Sequence, residues 1–246
     1  MCTLSWVPQP AGYALAMNRD ERRARAAGTP PTRREIDSVL LLAPLDPEAG
    51  GSWISVNDRG LTLALLNRYE DTPHDGGKVF VSRGLLVLEL AAVTSPSEAE
   101  AALESRNLAR YRPFTLVCVG PAPSARRLEW NGSGLRRSAI EVPGLLATSS
   151  GVDQHGAERE RAALFRAAAA DPAGLTPAGL AELHRSHVPE RGPCSVCMHR
   201  EDAVTVSCAL IAVTPEEVRF HQIEGSPCES RRASELSLAR AGGAMG

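Results

Sequence analysis

The hydrophobic pattern of the chain begins with two short apolar runs on either side of a break. Residues 3–7 and 13–17 are mostly apolar, and the segment 8–12 between them reads Pro-Gln-Pro-Ala-Gly. Pro and Gly supply the dihedral angles of a turn and do not readily continue a central strand. The pattern therefore predicts a β-hairpin at the start of the chain.

The register of this hairpin determines which polar residues meet at its open end. If the chain folds about Pro10, residues whose numbers sum to about 20 face each other across the two strands. Cys2 is then expected near Asn18, with Arg19 and Asp20 just beyond. The pattern predicts that a thiol, a carboxamide, a guanidinium and a carboxylate gather at one end of a sheet.

Further along the chain, periods typical of strands and helices alternate. Strands are predicted at residues 39–42, 52–56, 61–67, 114–119, 127–131, 140–146, 204–213 and 217–223. Helices are predicted at residues 82–93, 97–105, 155–170 and 176–184. The second helix has the pattern of a capping box, with Ser97 as N-cap and Glu100 three residues later. Residues 22–35 and 71–77 are predicted to be loops.

The order of these elements predicts the fold class. Strands, two helices, strands, two helices and strands favour an α+β fold, in which mostly antiparallel sheets carry helices beside them. The 246 residues show no repeat of fixed period and no Gly/Ser linker. We therefore expect a single domain over residues 1–246, with a frayed tail over residues 235–246.

Composition and charge narrow the class of function. Apolar residues make up 43% of the chain and charged residues 23%, and the net charge is -2. This balance offers no basic field for nucleic acid or an anionic membrane. Pro8 and Pro10 interrupt the first apolar run, which excludes a signal-peptide pattern, and the longest apolar run contains Glu89. We expect a cytoplasmic protein without a membrane span, and the excess of Arg over Lys resembles a bacterial coding bias.

Cys2 has a specific chemical consequence. Its side chain is small, so an aminopeptidase normally removes Met1 and leaves Cys2 as the first residue. A free α-amine has a pKa near ~7.7 and can act as general base toward its own thiol. Terminal amines activate Thr nucleophiles in this way. Arg19 would favour the thiolate electrostatically, and Asp20 would hold the amine or orient Arg19.

The predicted site also needs a donor for an anionic tetrahedral intermediate. Asn67, which ends a predicted apolar strand, and Asn18 can each supply a carboxamide N–H. The alternative interpretation is structural: a Cys near the N-terminus is often a small buried hydrophobe, and Arg-Asp-Glu an ordinary charged turn.

Five segments together resemble the NRDE family, the bacterial relatives of the transport-and-Golgi-organisation protein. They are Met-Cys-Thr at 1–3, Ala-Met-Asn-Arg-Asp-Glu at 16–21, Gly-Gly-Ser-Trp-Ile at 50–54, Asn-Asp-Arg-Gly at 57–60 and Ala-Leu-Leu-Asn-Arg at 64–68. The resemblance implies an N-terminal-nucleophile (Ntn) hydrolase fold, a four-layer αββα sandwich. It also implies similarity to penicillin V acylases and bile-salt hydrolases.

The resemblance implies an amidohydrolase or acyltransferase that acts on a small amide or acyl compound through an acyl-enzyme on Cys2. Cys2, Arg19 and Asp20 match the family by motif, and Asn67 matches by its position at a strand end. Residues 146–150 lack the Asn that the family often shows, so Thr148 or Ser149 would replace it. Arg200 is the candidate for a distal arginine of the site.

The family also implies an alternative function. Its best-known eukaryotic member is linked to haem trafficking and to lipid or acyl-CoA metabolism. The same pocket would then carry haem or a lipid without catalysis. No Cys-x-x-Cys-His segment for haem attachment is present, because Met198 occupies the fifth position. We expect no resident cofactor.

Cysteines and histidines near the end of the chain raise the possibility of a metal site. Cys194 and Cys197 form a C-x-x-C pair, followed by His199. A structural zinc site usually needs a second pair at comparable spacing, and Cys208 and Cys228 stand apart. The pattern favours free thiols and no metal. His184 and His187, three residues apart, are interpreted as residues at the exposed end of a helix.

Overall fold

The computed structural model describes residues 2–69, 79–122, 124–141, 143–171 and 175–241. Its strands are β1 (Cys2–Gln9), β2 (Gly12–Arg22), β3 (Thr32–Ile36), β4 (Val39–Ala43), β5 (Ile54–Asn57), β6 (Thr62–Asn67), β7 (Phe114–Gly120), β8 (Ser124–Trp130), β9 (Leu135–Ile140), β10 (Gly144–Ser149), β11 (Ala203–Val213), β12 (Glu217–Glu224) and β13 (Ala233–Ala239). Its helices are α1 (Gly84–Glu89), α2 (Pro96–Glu104), α3 (Gln154–Ala170) and α4 (Pro177–Leu183).

The strands form two antiparallel sheets that pack face to face. One sheet has the order β10-β1-β2-β11-β12-β13, and the other runs from β3 to β9 in sequence order. Helices α3 and α4 cover the outer face of the first sheet, while α1 and α2 cover the second. The result is a four-layer αββα sandwich, as predicted.

Alternation along β1 shows how the sequence builds these layers. Leu4 and Trp6 face the core between the two sheets, whereas Ser5 and Val7 face the helices. A strand buried on both faces loses the simple apolar-polar alternation of a half-exposed strand. Cys2 follows the period of Leu4 and Trp6, so its thiol lies between the sheets.

The first hairpin forms as predicted, but its register differs by one residue. Gln9 pairs with Gly12 around a tight turn, and Cys2 faces Arg19 instead of Asn18. Gly12 is required at this turn because a Cβ there would lie 1.9 Å from the carbonyl oxygen of Val213. The second hairpin, β5–β6, is also confirmed, and its turn has Gly60 at φ +80°.

The boundaries of two helices differ from the predictions, and in α2 the difference comes from a proline at the first helical position. Helix α2 begins at Pro96, and Ser95 is its N-cap, accepting a hydrogen bond from the Glu98 amide at 3.1 Å. The prediction of Ser97 as N-cap was wrong because Pro is well tolerated at the first helical position. Helix α1 is shorter than the predicted residues 82–93.

Other differences concern short strands that carry many polar residues. Residues 22–35 were predicted as a loop, but their end belongs to the edge strand β3. Residues 233–239 form β13, which pairs along β12, so the prediction of a frayed tail from residue 235 was wrong there. The predicted loop at 71–77 lies outside the described residues. Within the described residues, no helix is both long and apolar enough to span a membrane.

Candidate active site

A cavity of about 330 Å³ opens where the ends of β1, β2 and β6 approach the start of α1. Cys2, Arg19, Asp20 and Asn67, four of the predicted site residues, line it. The segment 49–53, which contains the Gly-Gly-Ser-Trp residues, forms another part of its wall. The cavity therefore joins four of the five motif segments of the sequence.

Cys2 lies on a strand that is paired on both sides, by β2 and by β10. Its backbone N donates to Ser149 Oγ at 3.0 Å, and its carbonyl accepts from Thr148 Oγ1 at 3.3 Å. Burial raises the pKa of the Cys2 thiol, and the negative charge of Asp20 raises it further. The thiol therefore needs a local base to become a nucleophile.

Arg19 presents a buried donor to the cavity. Its guanidinium stacks over the Trp53 ring, with Cζ 4.4 Å from the ring centre. Nη2 donates to Asp46 at 3.2 Å and to Glu21 at 3.4 Å. Nη1 is buried and has no hydrogen-bond partner within the described part of the chain. It can donate to a carbonyl or carboxylate oxygen of a bound molecule.

Asp46 fixes the orientation of two arginines at the mouth of the cavity. Arg25 donates to Asp46 Oδ2 at 2.7 Å, and Arg19 contacts the same oxygen. Burial raises the pKa of Asp46, but the Arg25 hydrogen bond and charge outweigh it and hold the pKa below its ordinary value. Asp46 is thus a carboxylate acceptor near neutral pH.

Asp20 directs its carboxylate toward the helical layer behind the sheet. Its Oδ1 accepts from Thr205 Oγ1 at 2.6 Å, and its Oδ2 lies 3.8 Å from Arg161 Nη2. Burial raises the pKa of Asp20, whereas the charge of Arg161 lowers it. The β2–β11 register shifts between Thr205 and Ser207, and such bulges re-aim side chains near sites.

Arg161 is the residue of this region that the sequence analysis missed. It is fully buried on α3 and donates to Thr3 Oγ1 at 2.8 Å and to Thr148 Oγ1 at 2.6 Å. Its remaining bonds go to the carbonyls of residues 193–195. Spacing was the available signal, because Ala157 and Phe165, four residues away on either side, are buried on the same helix face.

Arg200 does not take the place predicted for a distal arginine. It pairs with Asp202 at 2.6 Å, its carbonyl accepts from Arg23, and it is not among the cavity-lining residues. The buried arginine beside Asp20 is Arg161. Local sequence could not distinguish the two, because α3 reaches the site only through tertiary packing.

The two candidate asparagines lie in different places: Asn67 at the cavity, and Asn18 on the side of the first sheet that faces the helices. Asn67 lines the cavity and donates to the Tyr69 hydroxyl at 3.2 Å. Asn18 donates to the carbonyls of His184 and Val196, both at 2.9 Å, on the helical face of the sheet. The observed register turns the Asn18 side chain away from Cys2, so Asn18 does not join the predicted site residues that line the cavity.

Two further arginines, Arg83 and Arg112, line the cavity. Arg83 donates to the carbonyl of Pro113 at 2.8 Å, and burial lowers the pKa of its guanidinium. The Arg112 guanidinium lies over the Phe80 ring, 5.3 Å from its centre. With Arg19 and Arg25, they bring the arginines that line the cavity to four among the described residues.

The layers and the cavity define a class of protein, and solved structures of Ntn hydrolases match the chain. A penicillin V acylase from Agrobacterium tumefaciens has a TM-score of 0.56 at 10% identity, covering 97% of this chain and 86% of its own. A mutant conjugated bile acid hydrolase from Clostridium perfringens gives 0.56 at 12% identity, with 96% and 92% covered. A Caenorhabditis elegans N-acylethanolamine-hydrolyzing acid amidase ortholog gives 0.59 at 8% identity, with 96% and 100% covered. The chain has the Ntn-hydrolase fold.

The family follows from the sequence itself. A family model described as Transport and Golgi organisation 2 matches residues 1–148. The chain therefore belongs to the Transport and Golgi organisation 2 family, which confirms the resemblance stated from its motifs. No curated protein matches the sequence.

Proposed function

We propose that this protein hydrolyses an amide bond of a small molecule through an acyl-enzyme on Cys2. The observation that carries the proposal is the cavity that Cys2 and Arg19 share, which joins a buried thiol to a buried Nη1 that has no hydrogen-bond partner among the described residues. A thiol supplies the nucleophile, and a fixed cationic donor orients a carbonyl group or stabilises charge that develops on its oxygen. The amide-hydrolysing neighbours support the reaction class by their fold.

The proposed mechanism begins with removal of Met1, which lies outside the described residues. The α-amine of Cys2 takes the thiol proton, and the sulfur attacks the substrate carbonyl carbon to give a tetrahedral oxyanion. The C–N bond then breaks, and the ammonium returns the proton to the leaving amine. Water attacks the thioester with the amine again as base, releasing the acid and the thiol. Ser149 Oγ, 3.0 Å from this nitrogen, orients the base.

The other cavity residues take positioning roles in the proposal. Asn67 supplies a carboxamide donor for the oxyanion, because it lines the cavity with Cys2 and Arg19. Asp20 holds the ammonium form of the α-amine. Arg83 and Arg112, which also line the cavity, favour a substrate with an anionic group, such as a carboxylate or a phosphate. An amine or alcohol acceptor in place of water would make the same site an acyltransferase.

The test is to control whether the α-amine of Cys2 is free. One form carries an N-terminal fusion partner, and the matched form has it removed by a protease that leaves Cys2 first. Both are treated with a β-lactone probe, and the acylated residue is mapped by mass spectrometry. We expect acylation of Cys2 to be on the order of 100-fold faster in the cleaved form, because general-base catalysis contributes roughly this much.

Two controls accompany the probe experiment. Cys2→Ala is expected to abolish the adduct, while Cys194→Ser leaves it unchanged. Intact mass of the native-start protein is expected to show loss of Met1. Equal acylation with and without the fusion partner would refute the amine base. An unreactive Cys2 with saturable absorbance changes on haemin titration would support the alternative of a haem carrier.

A further inference from the structure

Two cysteines and two histidines from distant parts of the chain converge behind the candidate active site. They are His187, Cys197, His199 and Cys228, and one ligand atom of each lies within 4.8 Å of all the others. The sequence favoured free thiols, because the C-x-x-C pair of Cys194 and Cys197 had no second pair at comparable spacing. The fold instead brings Cys228, from the connection between β12 and β13, to Cys197. We propose that these four residues bind one zinc ion.

The separations match those of a tetrahedral Cys2His2 site. Bonds of about 2.3 Å to sulfur and about 2.0 Å to nitrogen place neighbouring ligand atoms of a tetrahedron about 3.3–3.8 Å apart. Cys197 Sγ lies 3.6 Å from His199 Nε2, and Cys228 Sγ lies 3.3 Å from the same nitrogen. The rings of His187 and His199 meet edge to face, with centroids 5.1 Å apart. A small contraction of the cluster encloses the ion.

An unsatisfied polar atom points to a ligand at this place. Nε2 of His187 is buried and has no hydrogen-bond partner within the described ranges. A buried imidazole nitrogen without a partner is costly, and a bound metal ion removes that cost. Cys228 and His199 are only partly buried, so an ion can enter from that side.

The donor set selects the metal by its chemistry. Two thiolates and two neutral imidazoles suit zinc, and oxygen-preferring Mg²⁺ or Ca²⁺ would find no ligand of their kind. Each thiol releases its proton on binding, so the two thiolates balance the charge of Zn²⁺. With zinc on Nε2, His199 carries its proton on Nδ1. The exposed Arg191, which contacts Nδ1 at 3.2 Å, then gives way to an acceptor such as its partner Glu229.

The position of the cluster gives the ion a structural role. The segment 184–200 supplies three of its ligands, and its carbonyls also accept hydrogen bonds from Asn18 and Arg161. Arg161 in turn contacts Asp20 and Thr148 beside Cys2. All four ligands are protein side chains, as in closed structural zinc sites, so the ion holds this segment and does not touch substrate.

The first experiment measures metal content and geometry on the tag-free full chain. Elemental analysis is expected to give about one zinc per chain after purification. Metal-free, reduced protein titrated with Co²⁺ should show the visible bands of tetrahedral Co²⁺ and a thiolate-to-cobalt charge-transfer band, both saturating at about one equivalent. Absence of these bands in folded, reduced protein would overturn the proposal. So would a Cys197–Cys228 disulfide in protein kept under non-reducing conditions from a reducing cytoplasm.

Variants assign the ligands. Cys228→Ser is expected to reduce the charge-transfer band to roughly half, because one of two thiolates is gone. His187→Ala should weaken cobalt binding while keeping both sulfur ligands. Cys194→Ser, the matched control from the same segment, should bind cobalt like the natural chain. A Cys228→Ser spectrum identical to that of the natural chain would refute the assignment even if one of the other variants fails to fold.

Discussion

Two buried polar residues, Arg161 and His184, connect the helical layer to the strands that carry the candidate site. Arg161 satisfies carbonyls and hydroxyls from three segments, and His184 lies fully buried beside it. His184 was expected at a surface helix end. Its Nε2 instead meets Ser5 Oγ at 2.7 Å, and its ring meets Phe165 edge to face. Both residues therefore act through the core, although neither lines the cavity.

His184 makes stability depend on pH. Burial, and secondarily the charge of Arg161, lowers its pKa from 6.5 to about 3. The unfolded chain then binds more protons than the folded one between these values, so stability is complete above pH 6.5 and falls as pH decreases toward 3. The loss at pH 5 is about 2 kcal/mol. We expect urea unfolding at pH 7 and pH 5 to show this difference, and His184→Gln to remove most of it.

The matched control is His221→Gln, a partly exposed histidine on β12. It should leave the pH dependence of the natural chain intact. A His184→Gln variant that kept the full pH dependence would contradict the assignment of this dependence to His184. The comparison between the two pH values cancels any loss of packing that the substitution causes equally at both.

At the scale of elements, close approach of two backbones shapes the cavity wall. A Cβ at Gly51 would lie 2.4 Å from the Gly84 carbonyl carbon and 2.6 Å from Leu85 N. Ser52 N donates to the Gly84 carbonyl at 2.9 Å, so the start of α1 rests directly on the Gly-Gly-Ser-Trp segment. The glycine in this motif is thus explained by packing of backbone on backbone.

Gly51→Ala should therefore force α1 away from β5. We expect a loss of about 1–3 kcal/mol in the free energy of unfolding, together with slower acylation of Cys2 by the β-lactone probe, because the cavity wall moves. Gly134→Ala is the control, since a Cβ there meets no atom within 4 Å. It should change stability by less than about 0.5 kcal/mol. Equal effects of the two substitutions would contradict the packing argument.

The fold class and most of the strands could be predicted from the sequence, because hydrophobic period and turn residues act locally. The edge strands β3, β9 and β13 were missed, because they carry many polar residues. The register of the first hairpin could not, because a two-residue turn at Pro10 and Ala11 differs by only one position from a turn centred on Pro10. In a strand, one position changes the face of every side chain. This difference brought Arg19, and not Asn18, to the side of Cys2. Arg161 was missed because its partners are all distant in sequence.

At the scale of the whole molecule, one core connects the two sheets. Leu4 and Met17 of the first sheet and Ile54 and Val117 of the second belong to the same buried cluster. Neither sheet can expose its inner face without exposing that of the other. We therefore propose that the chain is a single domain, as the absence of a linker in the sequence led us to expect.

A single domain should unfold in one transition. Trp6 and Trp53 report on the core between the sheets, and Trp130 reports on the core under α1 and α2. We expect their fluorescence and the far-ultraviolet circular dichroism to change together in urea. In Trp130→Phe only Trp6 and Trp53 remain as fluorescent reporters. The fluorescence midpoint of this variant should equal the midpoint of its circular dichroism. Separate midpoints would divide the chain into two units.

Successive side chains of β2 point to opposite faces of the sheet, so natural substitutions at three consecutive residues of the family motif should have different effects. Asn18 contacts the segment that holds the proposed zinc, Arg19 faces the cavity, and Asp20 contacts Arg161 while lining that cavity. A natural variant at position 18 would alter how much protein a cell accumulates, whereas one at position 19 would alter what that protein does. Position 20 would couple the two, so neighbouring substitutions in this motif belong to different phenotypic classes.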